Sequence, residues 1–100
     1  MTIYEIERLI ALRKYKGQNG DIVEFSYFGN GTQGAVTTTF VSYPQMSADY
    51  SLRQDGEDVY LKMLSSEYRF IIKGVDDKRI VAFDLMIGDE VTHSFTFLVS

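Results

Sequence analysis

Apolar and polar positions alternate along most of this chain, and the period of the alternation changes once. From Ile3 to Leu12 the apolar residues recur at helical spacing, with Ile3, Ile6, Leu9, Ile10 and Leu12 on one stripe. Thr2 and Glu5 have the three-residue separation of a capping box. Glu5 and Glu7 lie early, and Arg13, Lys14 and Lys16 lie late, as the helix dipole favours. The pattern predicts a helix over 2–16, stopped by Gly17, with its stripe packed on a sheet.

Beyond Gly17 the period is two, that of a strand with one face covered. Val23, Phe25 and Tyr27 share a face and predict a strand over 21–28. Asn30, Gly31 and Gly34 mark a hairpin loop, and the Thr- and Val-rich stretch 35–43 is the return strand, ended by Pro44. The stretch 43–58 reads as irregular, with a short strand at 50–53 and a turn at Gln54-Asp55-Gly56. Val59, Leu61 and Met63 then alternate with Tyr60, Lys62 and Leu64.

The last third predicts three antiparallel strands joined by two turns. Tyr68, Phe70 and Ile72 oppose Arg69 and Lys73; 79–87 is apolar at almost every position, interrupted by Asp84; Val91, His93, Phe95, Phe97 and Val99 alternate with Thr92, Ser94, Thr96 and Leu98. A helix followed by clustered strands predicts an α+β fold: one N-terminal helix packed on a curved antiparallel sheet or small barrel of six to seven strands. The 100 residues make a single domain, 1–100.

Composition narrows the function classes. There is no cysteine, so neither a disulfide framework nor a thiolate metal site exists, and the chain fits a reducing, cytoplasmic setting. The first residues lack the basic and apolar blocks of a signal peptide, and no apolar run approaches the ~20 residues of a membrane span. A net charge of −4 argues against binding a phosphate backbone.

The chain offers few parts for catalysis. Its single histidine, His93, lies on an apolar face, where a packed side chain is the ordinary reading. Without cysteine, a nucleophile would be Ser or Thr with His93 as base, and no Gly-x-Ser-x-Gly elbow occurs. The acidic groups Asp55-Gly56-Glu57-Asp58, Asp76-Asp77 and Asp89-Glu90 all fall at predicted turns, which favour Asp and Gly for backbone reasons. Asp84 is read as a solvent-facing strand residue or the partner of an arginine, with a buried, perturbed acid as the alternative that an enzyme would use. No catalytic residue, metal site or cofactor is expected.

One feature has two readings: a hairpin central in the sheet and mostly buried, or a binding surface or self-association edge. From Phe25 to Ala48 there is no charged residue, and an exposed hairpin normally carries charges. Charge-poor surface with Tyr and Met resembles an interface core. The contact residues expected are Tyr27, Phe28, Tyr43, Met46, Tyr50 and Arg53. The partner is another protein or a second copy of the chain, and the role is that of a non-enzymatic binding domain of inhibitor or immunity type. The alternative is a small-molecule binder, with an anionic or ring-bearing ligand held between helix and sheet or at a dimer seam.

The element order also resembles the Sm-like small barrel, and Ile72-Lys73-Gly74 is similar to that family's apolar–basic–glycine motif. The resemblance implies a nucleic-acid binder, with Lys73 and Arg53 as its basic groups. The family's Asp-x-x-Met-Asn segment is not reproduced in 41–47, and a further hairpin extends past the family's usual end.

Overall fold

A computed structural model describes residues 2–18, 20–26, 33–39, 45–63 and 65–98, with 33–39 described for the backbone. The helix α1 spans Ile3–Ile10, and its start is the one the sequence predicts. The Thr2 hydroxyl accepts from the Glu5 amide, and the Glu5 carboxylate accepts from the Thr2 amide, each at 3.2 Å. Ile6, Leu9 and Ile10 are buried.

The helix end differs from the predicted one. It stops six residues before Lys16, and Leu12, expected on the apolar stripe, is 72% exposed in a left-handed conformation (φ 61°). Residues expected in its last turn form instead the strand β1 (Lys14–Gly17). Lys14 and Lys16 point outward and Tyr15 inward, a period-two pattern inside a stretch that also satisfies the helical one. The ladder decides: β1 pairs with β2 on one side and β8 on the other, so both edges of its backbone are hydrogen-bonded.

Seven strands follow: β2 (Ile22–Phe25), β3 (Gln33–Thr39), β4 (Met46–Asp55), β5 (Asp58–Met63), β6 (Ser66–Val75), β7 (Ile80–Ile87) and β8 (Glu90–Phe97). Each pairs antiparallel with the next, and the β1–β8 pairing closes the sheet into a barrel of eight strands, one more than the largest number expected. The added strand is β1. A second correction concerns β4, which runs for ten residues through a stretch read as irregular. Its inward positions are Ala48, Tyr50 and Leu52; its outward ones are Ser47, Asp49, Ser51, Arg53 and Asp55. Asp and Ser have low strand propensity and hid the alternation.

The barrel is filled, not hollow. Phe83 stacks on Phe70 with ring centroids 4.6 Å apart and lies 5.0 Å from Tyr15 and 5.3 Å from Phe95. Phe25 joins this group and meets Tyr50 edge to face at 5.2 Å. An eight-stranded barrel is just wide enough for side chains or one small ligand, and here rings take the space. Three glycines have positive φ: Gly56 and Gly88 fall where turns were predicted, and Gly20 lies in the β1–β2 connection, which the predicted helix end did not provide for. The helix lies at the barrel end where β1 and β7 begin and β8 ends. The opposite end carries the β1–β2 and β7–β8 turns.

Candidate functional site

Of the expected contact residues, the three that are described, Met46, Tyr50 and Arg53, do not share one surface. Tyr27, Phe28 and Tyr43 lie outside the described residues. Met46 is 45% exposed at the start of β4, on the barrel rim away from the helix. Tyr50, expected at the surface, is only 2% exposed and points into the barrel, because it stands in phase with Ala48 and Leu52. Arg53 is exposed on the outer face, as expected.

Arg53 has a built environment. It donates from Nε and Nη2 to the Glu67 carboxylate at 3.2 and 2.9 Å, and its guanidinium lies 4.4 Å from the centre of the Tyr60 ring. Tyr60 is the cross-strand neighbour of Arg53 in the β4–β5 ladder, and β6 brings Glu67 alongside. Glu67 holds Arg53 above its ordinary pKa, and Arg53 holds Glu67 below the usual carboxylate range. Tyr60 was legible as a polar-face aromatic in the alternation of β5. Glu67 carried no sequence signal, since its contact with Arg53 spans two turns.

Inside the helix–sheet seam lies a polar pair that the sequence did not reveal. Glu7, on the buried side of α1 and 4% exposed, accepts a hydrogen bond from the Tyr50 hydroxyl at 3.2 Å. Burial pushes its carboxyl above the ordinary value, partly offset by that bond. The native state therefore holds the proton more tightly than the unfolded chain, and this group's stabilising contribution is lost as pH rises through the raised value. Glu7→Gln keeps an acceptor for Tyr50 and removes the buried charge. It is expected to raise stability at neutral pH by on the order of 1 kcal/mol, a gain that shrinks toward acid pH. Thermal melts of both proteins across pH check the sign.

His93 sits half-buried at the far end of the barrel, its ring stacked on Phe95 at 5.9 Å and edge-on to Tyr68 at 5.6 Å. The Thr92 hydroxyl lies 3.1 Å from the Leu85 carbonyl oxygen and 2.9 Å from His93 Nδ1. Which of Thr92 and His93 donates in this contact follows the tautomer of the ring. A cleft of about 270 Å³ opens beside the ring, between β8 and the β1–β2 turn, with the buried Asp21 in its wall. Asp84 faces outward between Ile71 and Ser94, in accord with the solvent-facing reading.

A second cleft, of about 340 Å³, lies at the helix end, lined by Leu12, Arg13, Lys14, Glu24, Arg79, Phe97 and Leu98. Arg13 donates from Nη1 to the Ala11 carbonyl at 2.6 Å and from Nη2 to the Lys78 carbonyl at 2.9 Å. Arg79 lies 4.6 Å over the Phe97 ring. Among the described residues no group of three or more His, Asp or Glu is placed to hold a metal ion. No described helix is long and apolar enough to cross a membrane.

Comparison with known proteins found no matching family model, no matching curated protein and no matching solved structure. The functional reading therefore rests on these sites. Asp76 shows what the acidic turns do locally: one of its carboxylate oxygens accepts from the Lys78 and Arg79 amides at 2.8 and 3.0 Å, which lowers its pKa and shapes the turn that delivers Arg79. Lys73, the basic group of the Sm-like motif, is exposed on β6 next to the bulge at Gly74.

Proposed function

We propose that this chain is a small non-enzymatic binding domain that acts through contacts with another protein, in a reducing, cytoplasmic setting. The observation that carries the reading is the exposed Arg53, tied to Glu67 and stacked on Tyr60 across β4–β6. Arginine and tyrosine supply much of the energy of protein interfaces, and a side chain already ordered loses little entropy on binding. The filled barrel supports the same reading, since recognition is left to the outer faces and the two ends. A net charge of −4 would steer a basic partner, as in an inhibitor or immunity-type role. Every described strand is paired on both sides, so contact is by side chains and not by addition of a strand to an open edge.

The test is a photo-crosslinking side chain placed at Tyr60 and, as a control, at Thr96 on the exposed face of β8, each expressed in the native host. A discrete protein adduct from position 60 and none from 96 is the expected result. Arg53→Ala should then weaken binding of the captured partner roughly tenfold or more. No adduct at 60, or equal adducts at both positions, rejects this surface.

A further inference from the structure

The cleft at the helix end carries charge of the wrong sign for this protein. The chain is acidic overall, yet Arg13 and Lys14 from the exit of α1 and Arg79 from the start of β7 meet there, with Glu24 as the single carboxylate in the wall. None of the three cations is in an ion pair among the described residues, where the salt bridges are those of Arg53. Asp76 accepts from the turn amides and also feels the charge of Arg79, without a salt bridge between them.

The arginines are held in place without a salt bridge among the described residues, Arg79 lying within electrostatic range of Asp76. Arg13 is fixed by two neutral carbonyls, so its position is set while its charge stays uncompensated. Arg79 lies over the Phe97 ring, and its Nε is shielded from solvent with no hydrogen-bond partner. A buried donor left unpaired costs free energy, and a cationic donor costs more. The floor beside the cations is apolar, made by Phe97, Leu98 and the exposed Leu12.

We infer that this cleft is a binding site for an oxyanion, carboxylate or phosphate, carried on a flat or apolar body. The guanidinium of Arg79 offers paired donors to such a group, and Lys14 adds a mobile point charge. Phe97, Leu12 and Leu98 cover the body, beside a wall in which charged groups predominate. The volume of about 340 Å³ suits a ligand of one ring and one anionic group. Glu24 sits opposite Lys14 in the β1–β2 ladder and disfavours a second anionic group on that side. The site is separate from the Arg53 surface, and either can stand without the other.

The test is a titration of isotope-labelled protein, followed by its amide signals, with phenyl phosphate, benzoate, inorganic phosphate and benzyl alcohol. The expected result is saturable shifts at Lys14, Arg79 and Leu98 with phenyl phosphate or benzoate at millimolar concentration or below. Affinity should fall with added salt and drop roughly tenfold in Arg79→Gln and in Lys14→Gln. Lys62→Gln, on the exposed face of β5, should leave it unchanged. Lys14 is exposed, so its variant reads the charge even where Arg79→Gln disturbs the packing on Phe97. Shifts that do not saturate, or binding equally strong in both cleft variants, overturn the site. Inorganic phosphate or benzyl alcohol binding as tightly as phenyl phosphate overturns the ligand class.

Discussion

Phe83→Ala is expected to remove about 3–5 kcal/mol of stability, a large part of the 5–15 kcal/mol that a domain of this size holds. The ring is 1% exposed and stands at the junction of the aromatic core. It touches Phe70 from β6, Phe95 from β8, Tyr15 from β1 and Phe25 from β2. These strands lie on both sides of the closure seam, so one truncation leaves a void bounded by half the barrel. Rings flanking a void cannot collapse into it without moving the strands that carry them, which is the condition for the upper range of cavity costs. Denaturant unfolding of the variant at 25 °C should show a midpoint far below that of the wild type, or no cooperative transition. A loss under about 1 kcal/mol would mean that the core is loosely packed and that Phe83 is not its centre.

The second large effect belongs to Tyr15. Its hydroxyl is buried and donates to the Ile80 carbonyl at 2.7 Å, joining β1 to β7 across the filled interior. Tyr15→Phe keeps the ring contacts and deletes this one bond, leaving a buried carbonyl short of a donor. A cost of about 1–3 kcal/mol follows, which for a domain of this length lowers Tm by on the order of 10 °C. The same residue sets an alkaline limit. Burial pushes the Tyr15 hydroxyl well above the ordinary tyrosine pKa, against a smaller opposing pull from Arg13 and Arg79. Below the ordinary value of about 10 both states hold the proton. Above it the unfolded chain ionises first, so stability falls as pH rises further. The wild type should lose stability steeply above pH ~10. Tyr15→Phe should lose less over that range, and a parallel fall in both proteins would show that Tyr15 is not the group responsible.

The parts of the fold legible in the sequence are those with a local cause. The Thr2–Glu5 capping box forms as read, because a cap is completed within one turn of chain. The alternations read over 59–64, 68–73 and 91–99 fall on the observed β5, β6 and β8 as far as those residues are described, because each has one buried face; for 59–64, whose Leu, Lys and Met also suit a helix, the structure selects the strand. The β4 strand was obscured by polar outward positions, and Tyr50 was placed outside because the phase of its strand was not visible. The Arg53 surface was half legible: Arg53 stood out as a cation after an uncharged stretch, while Glu67 became its partner only through β6.

The α+β class, the N-terminal helix start and the turns at Gly56 and Gly88 were determined by sequence alone, each through contacts a few residues long. The length of α1, the strand β1 and the closure of the barrel were decided by tertiary structure. The residues 14–17 satisfy a helix pattern and a strand pattern equally. The choice fell to the strand because β2 and β8 together hydrogen-bond both of its edges, which an isolated helix end could not match. The same closure gathers Arg13, Lys14 and Arg79 at one cleft. Those three residues stand up to 66 positions apart in the chain, and nothing local to any one of them records that they meet.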